Sequence, residues 1–381
     1  MRRFVAWGIV ALALLGLAGF GGWMLTLPSS TATAEAPEVP QAEAEAMLAS
    51  LKPPKRERPL IAIIGLNDAT ETTDYIMTAG ILRRADVADV VMLATGPGPV
   101  QLYPALKAEP DATIVEFDAA HPEGADYVIV PAISRDDDPA ALAWIRRQAE
   151  QGATIIGVCA GAKVVAAAGL LEGKRATTHW YYRPRMLKLS PTTQYVPDRR
   201  MVSDGKVITT TGISASMPMM LTLIEAIAGR AKAEEVAHGL GVEAWSARHA
   251  SDAFRITRAF ASTVLVNRLA FWRSESFGIR LEPGMDEVSL ALVADAWSRT
   301  YRSSASTFAA TPEPVETRSG LRIIPDEAAG QWAKDRMVST FPDSPPAVAL
   351  DQTLAAIAAR YGSRTTDVVA MQLEYPRGPA R

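Results

Sequence analysis

The single cysteine of the chain, Cys159, lies in a pattern that is typical of a catalytic nucleophile. It is the centre of Gly157-Val158-Cys159-Ala160-Gly161, which follows the apolar run ATIIGV and precedes a helical pattern. A tight strand-to-helix turn crowds its own backbone, so small residues flank a nucleophile presented at the carboxyl edge of a sheet. We expect the helix N-terminus to lower the pKa of the Cys159 thiol and the Ala160 N–H to stabilise an oxyanion. The alternative is a buried structural cysteine.

The elements that must position this cysteine alternate between short apolar runs and helical patterns. Runs such as LIAIIG, YVIVP and ATIIGV are typical of buried parallel strands. The expected strands are residues 60–65, 87–94, 127–131, 153–158 and 206–211, and the expected helices are residues 72–85, 139–151, 160–168 and 214–228. This alternation predicts an α/β fold with a doubly wound parallel sheet covered by helices on both faces.

Residues 58–230 resemble the PfpI family, the relatives of the Parkinson-associated DJ protein in the class I glutamine amidotransferase-like superfamily. The resemblance rests on GVCAGAKVVAAAGLLEGKRATTHW around Cys159, on the opening IAIIGLNDATETTDYIMTAGILRRA and on the closing TTTGISASMP. It implies a flavodoxin-like fold and a reactive cysteine near an acid from the first β-α connection. Such domains are usually dimers, so the resemblance leaves a homodimer open.

The resemblance also implies which side chains serve the thiol. Asp74 matches the acid that opens the first helix, where a carboxyl can hydrogen-bond the thiolate or act as acid and base. Asp68 and Glu71 are the alternative acids, and an ordinary helix N-terminal charge is the alternative role for Asp74. His179 in ATTHW matches a histidine near the thiol, which could orient or deprotonate Cys159. A packed or surface histidine is the other interpretation.

Two positions bear on this chemistry in other ways. Many family members carry Pro-Gly-Gly after the central strand, where the backbone helps to build the oxyanion hole, but this chain has Pro131-Ala132-Ile133. Amide or acyl chemistry through a second N–H group is therefore in doubt. Lys163 lies four residues after Cys159 on the same helix face and could stabilise a thiolate. A solvated lysine is the interpretation that we prefer.

Composition excludes several other classes of function. The net charge is −3 with both signs interspersed, so we expect no nucleic-acid partner. One cysteine and four well-separated histidines give no metal-ligand spacing, and no phosphate or dinucleotide loop is present. We therefore expect neither a metal nor a cofactor.

The first residues predict a membrane anchor. Phe4 to Leu27 is an uncharged apolar run, and a helix of about 20 such residues spans a bilayer. Arg2 and Arg3 precede it and no basic residue follows before Lys52, so the soluble part is expected on the extracytoplasmic side, which is periplasmic in a bacterium. A cleaved signal peptide is the rival, because residues 32–34 read Ala-Thr-Ala.

A chain of 381 residues exceeds one ordinary core and indicates more than one region. Four regions are predicted: the anchor 1–27, a flexible linker 28–57, the α/β domain 58–230, and a helix-rich C-terminal region 231–381 of unknown role. In the last region we expect helices over residues 253–272, 287–301 and 351–361, a linker over 304–317 and a hairpin near 319–325.

The sequence leaves three classes of function. The first is a cysteine-dependent hydrolase, lyase or glyoxalase-type enzyme acting on a small electrophile such as an α-oxoaldehyde, isocyanide or amide. The second is a redox or ligand sensor that keeps a reactive thiol without turnover. The third is a regulator related to transcription regulators with a similar domain, although no helix-turn-helix pair is found in the C-terminal region. A closed polar cavity around Cys159 favours the enzyme, and an open shallow site favours the sensor.

Overall fold

The computed structural model of the protein describes residue 16, residues 18–29 and residues 35–376. The strands are β1 Leu60–Gly65, β2 Thr70–Glu71, β3 Asp89–Ala94, β4 Val100–Tyr103, β5 Lys107–Glu109, β6 Ala112–Thr113, β7 Tyr127–Val130, β8 Thr154–Gly157, β9 Arg175–Ala176, β10 Gln194–Tyr195, β11 Met201–Asp204, β12 Val207–Thr210, β13 Glu275–Arg280, β14 Ser303–Ala309, β15 Val315–Glu316, β16 Arg322–Ile323 and β17 Glu327–Ala328. The helices are α1 Gln41–Ser50, α2 Thr72–Ala85, α3 Ile114–Ala120, α4 Pro139–Glu150, α5 Gly161–Ala167, α6 Arg183–Leu189, α7 Ser216–Ala228, α8 Arg230–Leu240, α9 Arg258–Leu269, α10 Glu287–Ser298, α11 Pro346–Tyr361 and α12 Ser363–Leu373.

A seven-stranded sheet in the order β11-β12-β8-β7-β1-β3-β6 forms the centre of the molecule. Its pairs are parallel except for β11, which runs antiparallel to β12. The central strands β1, β7 and β8 are buried along their whole length, as their apolar runs predict. The prediction of an α/β flavodoxin-like fold is confirmed.

Helices cover both faces of this sheet. Ile61 and Ile63 of β1 belong to one apolar cluster, together with residues of α2 and α7, whereas Ala62 and Ile64 belong to a second cluster with residues of α4 and α5. Successive side chains of a strand point to opposite faces, so each face of β1 has its own core. The carboxyl ends of β1, β7 and β8 remain between these layers, where the cysteine loop follows β8.

The C-terminal region is mixed rather than simply helix-rich, which corrects the prediction. The predicted linker over residues 304–317 is wrong in its first half, because β14 Ser303–Ala309 lies between β13 and β17 in a parallel three-stranded sheet. The small residues of β14 hid an alternation of burial. Residues 315–316 and 322–323 form an antiparallel pair, close to the predicted hairpin. Helix α10 packs against α2 of the main domain.

The predictions for the N-terminal part also need correction. In the part of the chain that the structure describes, no helix is long and apolar enough to cross a membrane. This finding contradicts the membrane localisation predicted from the sequence. Of the predicted span Phe4 to Leu27, residues 18–26 are helical, and residues 4–15 and 17 lie outside the described residues.

The predicted flexible linker over residues 28–57 is wrong for its second half. Helix α1 Gln41–Ser50 packs on the domain, and Met47 and Leu51 enter its core. Asp126 then fixes the following segment, since its buried carboxylate accepts hydrogen bonds from the backbone N–H groups of Lys55 and Arg56 and from the Arg56 guanidinium. The composition of this segment suggested too little apolar surface for folding, but a few apolar residues suffice to attach a short helix to a domain.

Candidate active site

Cys159 occupies a strained turn between β8 and α5. Its φ is 55°, a left-handed conformation that is uncommon for a residue with a side chain and frequent at functional turns. The Cys159 N–H donates to Thr210 Oγ1 at 3.0 Å, and Thr178 Oγ1 donates to the Cys159 carbonyl at 3.0 Å. A Cβ at Gly161 would lie 1.9 Å from the carbonyl oxygen of Val130. The turn therefore requires a small residue there, as the pattern of small residues around Cys159 predicts.

The thiol itself is almost completely buried, with 4% of Cys159 exposed. Burial raises the pKa of the Cys159 thiol well above its usual value, and the charges of Asp74, Glu71 and Glu374 raise it further. The Ala160 N–H, which donates a hydrogen bond to the thiol, acts in the opposite direction. This is the reverse of the lowered pKa expected from the helix N-terminus. This environment favours the protonated thiol of Cys159, which needs a proton acceptor to become a nucleophile.

Asp74 is a buried carboxyl group close to this thiol in the first turn of α2. Its Oδ2 accepts the Ala132 N–H at 3.1 Å, and its Oδ1 accepts the Ser216 hydroxyl at 3.1 Å. Burial is the main reason why the pKa of Asp74 rises to about 6, although both hydrogen bonds oppose it. The Ala132 N–H is thereby engaged, so it is not available as a second oxyanion donor. Asp74 can exchange a proton near neutral pH.

Glu71, which the sequence offered only as an alternative acid, lines the cavity that contains Cys159. It caps α2, since its carboxylate accepts the Asp74 N–H at 2.7 Å, and it forms a salt bridge of 2.7 Å with Arg299. Arg299 also binds Asp295 at 2.7 Å. Burial raises the pKa of Glu71, and the Arg299 charge opposes this rise. The third candidate, Asp68, is exposed and paired with Arg135 at 2.6 Å.

His179 lines the cavity with Cys159, but its ring nitrogens are both occupied. Nε2 lies 3.0 Å from the Gln372 carbonyl oxygen, and Nδ1 accepts the Tyr181 N–H at 3.2 Å. A carbonyl accepts only, so Nε2 carries the proton and the ring is neutral. Burial also lowers the pKa of His179. This geometry favours a packed histidine over the Cys-His arrangement.

Lys163 is buried rather than solvated, contrary to the preferred interpretation. Its ammonium group lies 3.3 Å from Asp136 Oδ2 and donates to the Ser134 carbonyl at 3.0 Å. Asp136 in turn binds Arg185 at 2.7 Å. Lys163 is therefore held in a salt-bridge network beneath the wall of the cavity.

The C-terminal region roofs the cavity above Cys159, whose volume is about 480 Å³. The roof residues are Phe260, Val264, Arg268, Arg299, Tyr301 and Gln372. Glu374, just after α12, fixes this roof to the main domain because its carboxylate accepts the N–H groups of Trp180 and Gly212, each at 2.6 Å. The site is thus a partly open cavity with both apolar and polar walls.

Sequence reasoning missed Arg299 and Glu374 altogether. Both are far from Cys159 in the chain and lie outside residues 58–230, the segment that resembles the family. No local pattern marks either residue, because an isolated charge in a helix or after one is ordinarily a surface group. Among the described residues, no group of three or more His, Cys, Asp or Glu side chains is arranged to hold a metal ion.

Comparison with known proteins agrees with the geometry of the main domain. The model of the DJ-1/PfpI family matches residues 61–226. Isonitrile hydratase of Pseudomonas putida is 44% identical over 94 residues, which are 24% of this chain and 40% of that protein. The HTH-type transcriptional regulator CdhR of Pseudomonas aeruginosa is 38% identical over 86 residues, 23% of this chain and 25% of that protein.

A third relative is similar over nearly its whole length. Protein dj-1beta of Drosophila melanogaster is 27% identical over 184 residues, which are 47% of this chain and 95% of that protein. The crystal structure of the same fly protein has a TM-score of 0.44 and 25% identity, and it covers 49% of this chain.

Proposed function

We propose, from the match of the DJ-1/PfpI family model to residues 61–226, a cysteine-dependent enzyme that acts on a small electrophilic carbon. The observation that carries the proposal is a cavity lined by Cys159, in its strained turn, and by Glu71, with the buried carboxyl group of Asp74 behind it near the thiol. Perturbed titratable groups around a nucleophile in a cavity are typical of catalytic sites. The substrate class follows the earlier expectation: an α-oxoaldehyde, an isocyanide or an amide.

The proposed step begins with the thiol protonated. As Cys159 Sγ forms a bond to the electrophilic carbon, its proton passes to the Asp74 carboxylate, and the π electrons of the substrate move to its oxygen or nitrogen. The Ala160 N–H stabilises the charge that develops there. The acid then returns the proton to the carbonyl oxygen or, for an isocyanide, to the attacked carbon, so neither an oxidant nor a reductant is needed. The engaged Ala132 N–H favours addition over acyl chemistry that requires two oxyanion donors.

The sensor alternative is weaker on physical grounds. Oxidation to a sulfenic acid proceeds through an accessible thiolate, whereas burial both encloses Cys159 and raises the pKa of its thiol. The regulator alternative draws on two HTH-type transcriptional regulators, of which this chain matches 25% and 50% of the length. We therefore base the proposal on the enzyme.

The test separates thiol acidity from catalysis by means of Asp74→Asn. Removing the Asp74 charge should lower the pKa of the Cys159 thiol and speed its alkylation by iodoacetamide at neutral pH, because that charge raises the thiol pKa. The same change should reduce turnover of phenylglyoxal or benzyl isocyanide, followed by NMR, by about 100-fold or more because the proton acceptor is lost.

Asp68→Asn is the matched control, since Asp68 is an exposed acid between β1 and α2. This change should alter neither the alkylation rate nor the turnover rate. Cys159→Ser should abolish both reactions. Turnover that persists in Asp74→Asn, or alkylation that slows in it, would contradict the proposed role of Asp74. Absence of turnover in the unmodified protein with α-oxoaldehydes, isocyanides and amides would contradict the enzyme itself.

A further inference from the structure

The cavity above Cys159 has aromatic walls. The rings that line it belong to Tyr103, Trp180, Tyr181, Tyr182, Phe260 and Tyr301. Trp180 and Phe260 pack edge to face with ring centroids 6.0 Å apart, so the main domain and α9 share one wall. Tyr103 and Tyr181 are each 58% exposed. Open aromatic faces beside a cavity offer contact area to a planar apolar ligand.

Two arginines line the same cavity, and they differ in their partners. Arg299 is bound by the buried carboxylates of Glu71 and Asp295. Arg268 of α9 is exposed, and its guanidinium lies 4.6 Å from the centre of the Tyr301 ring. Among the residues that the structure describes, no carboxylate lies within salt-bridge distance of Arg268. Its guanidinium also interacts with the Tyr301 hydroxyl, and its remaining N–H donors are open to an anion from solution.

The size of the cavity excludes a very small substrate as its best occupant. A volume of about 480 Å³ lies within the range of roughly 300–1,000 Å³ that binds drug-sized ligands, whereas a three-carbon electrophile would leave most of it filled with water. A larger planar body would replace that water along the aromatic walls. The positive charge of Arg268 then favours a negatively charged group at the opening of the cavity.

We infer that the substrate is an organic carboxylate with an aromatic or comparably flat apolar body, whose carboxylate binds Arg268 while its electrophilic carbon faces Cys159. This inference rests on the proposed function, since it names the substrate class of that same site. It assigns to the C-terminal region, through α9, the selection of substrate. Arg268 is a specificity residue in this arrangement, because it contacts the end of the substrate remote from the reacting carbon.

The experiment measures binding rather than turnover. Full-length Cys159→Ser protein is titrated by calorimetry with 4-phenylbutyrate and with its neutral amide, 4-phenylbutyramide, which differ in charge but hardly in shape. We expect the acid to bind about tenfold or more tightly than the amide, the size typical of a hydrogen bond to a charged group. Arg268→Gln should remove this preference, and Arg268→Lys should retain part of it.

Arg273→Gln is the control, because Arg273 is an exposed arginine close to the end of α9 that lines a different cavity, and it should keep the full preference for the acid. Equal binding of the acid and the amide would overturn the inference, as would a preference that survives in Arg268→Gln. Protein with Ser at position 159 forms no thioether or thioester, so this result is independent of turnover. Failure of the enzyme and failure of the substrate class are therefore distinguishable.

Discussion

Arg299→Gln should destabilise the folded protein far more than an ordinary arginine substitution. Arg299 is the shared partner of Glu71 and Asp295, both bonds are 2.7 Å long, and the three side chains are 10%, 8% and 0% exposed. Removing the cation leaves buried carboxylates without a counter-charge, a change that typically costs about 3–5 kcal/mol of unfolding free energy. For a chain of this size the loss corresponds to a fall in Tm on the order of 5 °C.

The penalty should also depend on pH with a definite sign. Burial already raises the pKa of Glu71 above its value in the unfolded chain, and Arg299 opposes this rise. Without Arg299 the folded-state pKa rises further. A group with a raised folded-state pKa contributes stability below its unfolded pKa and loses it as pH rises through the folded pKa. The deficit of the variant relative to the wild type should therefore be larger at pH 8 than at pH 5.

The assay is urea unfolding followed by circular dichroism at pH 5, 7 and 8. Arg322→Gln serves as the matched control. Arg322 also belongs to the C-terminal region and pairs with Glu109, but both of these side chains are about half exposed. A pair of that kind contributes about 0–1 kcal/mol. If Arg299→Gln and Arg322→Gln lose the same small amount, or if the Arg299→Gln deficit grows towards acid pH, the buried pairing described above is refuted.

Two further changes test the turn and the N-terminal attachment. Gly161→Ala should lower the unfolding free energy by about 3 kcal/mol or more and change the alkylation rate of the thiol, since the new Cβ collides with the Val130 carbonyl. The control Gly239→Ala lies in a helix with open space around it and should stabilise the protein by about 0.5–1 kcal/mol. Equal effects of the two changes would contradict the steric requirement at the Cys159 turn. Asp126→Asn should lower the unfolding free energy by about 2–3 kcal/mol, because the buried Asp126 carboxylate binds a guanidinium and backbone N–H groups. The same change should make residues 41–57 accessible to proteases. An unchanged digestion pattern would contradict the role of Asp126 in attaching this segment.

The parts of the fold that the sequence predicted are those with strong local patterns. The all-apolar runs of β1, β7 and β8 admit few arrangements other than a buried parallel sheet. The Cys159 turn was visible because its geometry demands small residues on both sides. Strand β14 was missed for the opposite reason: its serines, threonine and alanines carry little hydrophobic signal, although alternate residues are buried.

The state of the thiol could not be predicted from its local sequence. The helix N-terminus suggested a lowered pKa, but the larger influences are burial and the acids Asp74, Glu71 and Glu374. Glu374 is far from Cys159 in the chain and approaches the site only because its carboxylate binds the N–H groups of Trp180 and Gly212. Such contacts depend on tertiary packing, which no short segment encodes.

The C-terminal region also supplies the cation beside the buried carboxyl groups of the site. Glu71, Asp74 and Asp295 are three buried carboxyl groups that interact with one another, and Arg299 is the cation that they share. Burial raises the pKa of both Glu71 and Asp74, and the Arg299 charge opposes both rises. Arg299 thereby favours the ionised form of Asp74, which the proposed addition requires as the acceptor of the thiol proton. The region beyond residue 230 therefore supplies, through Arg299, the charge balance on which the acid and base roles at Cys159 depend.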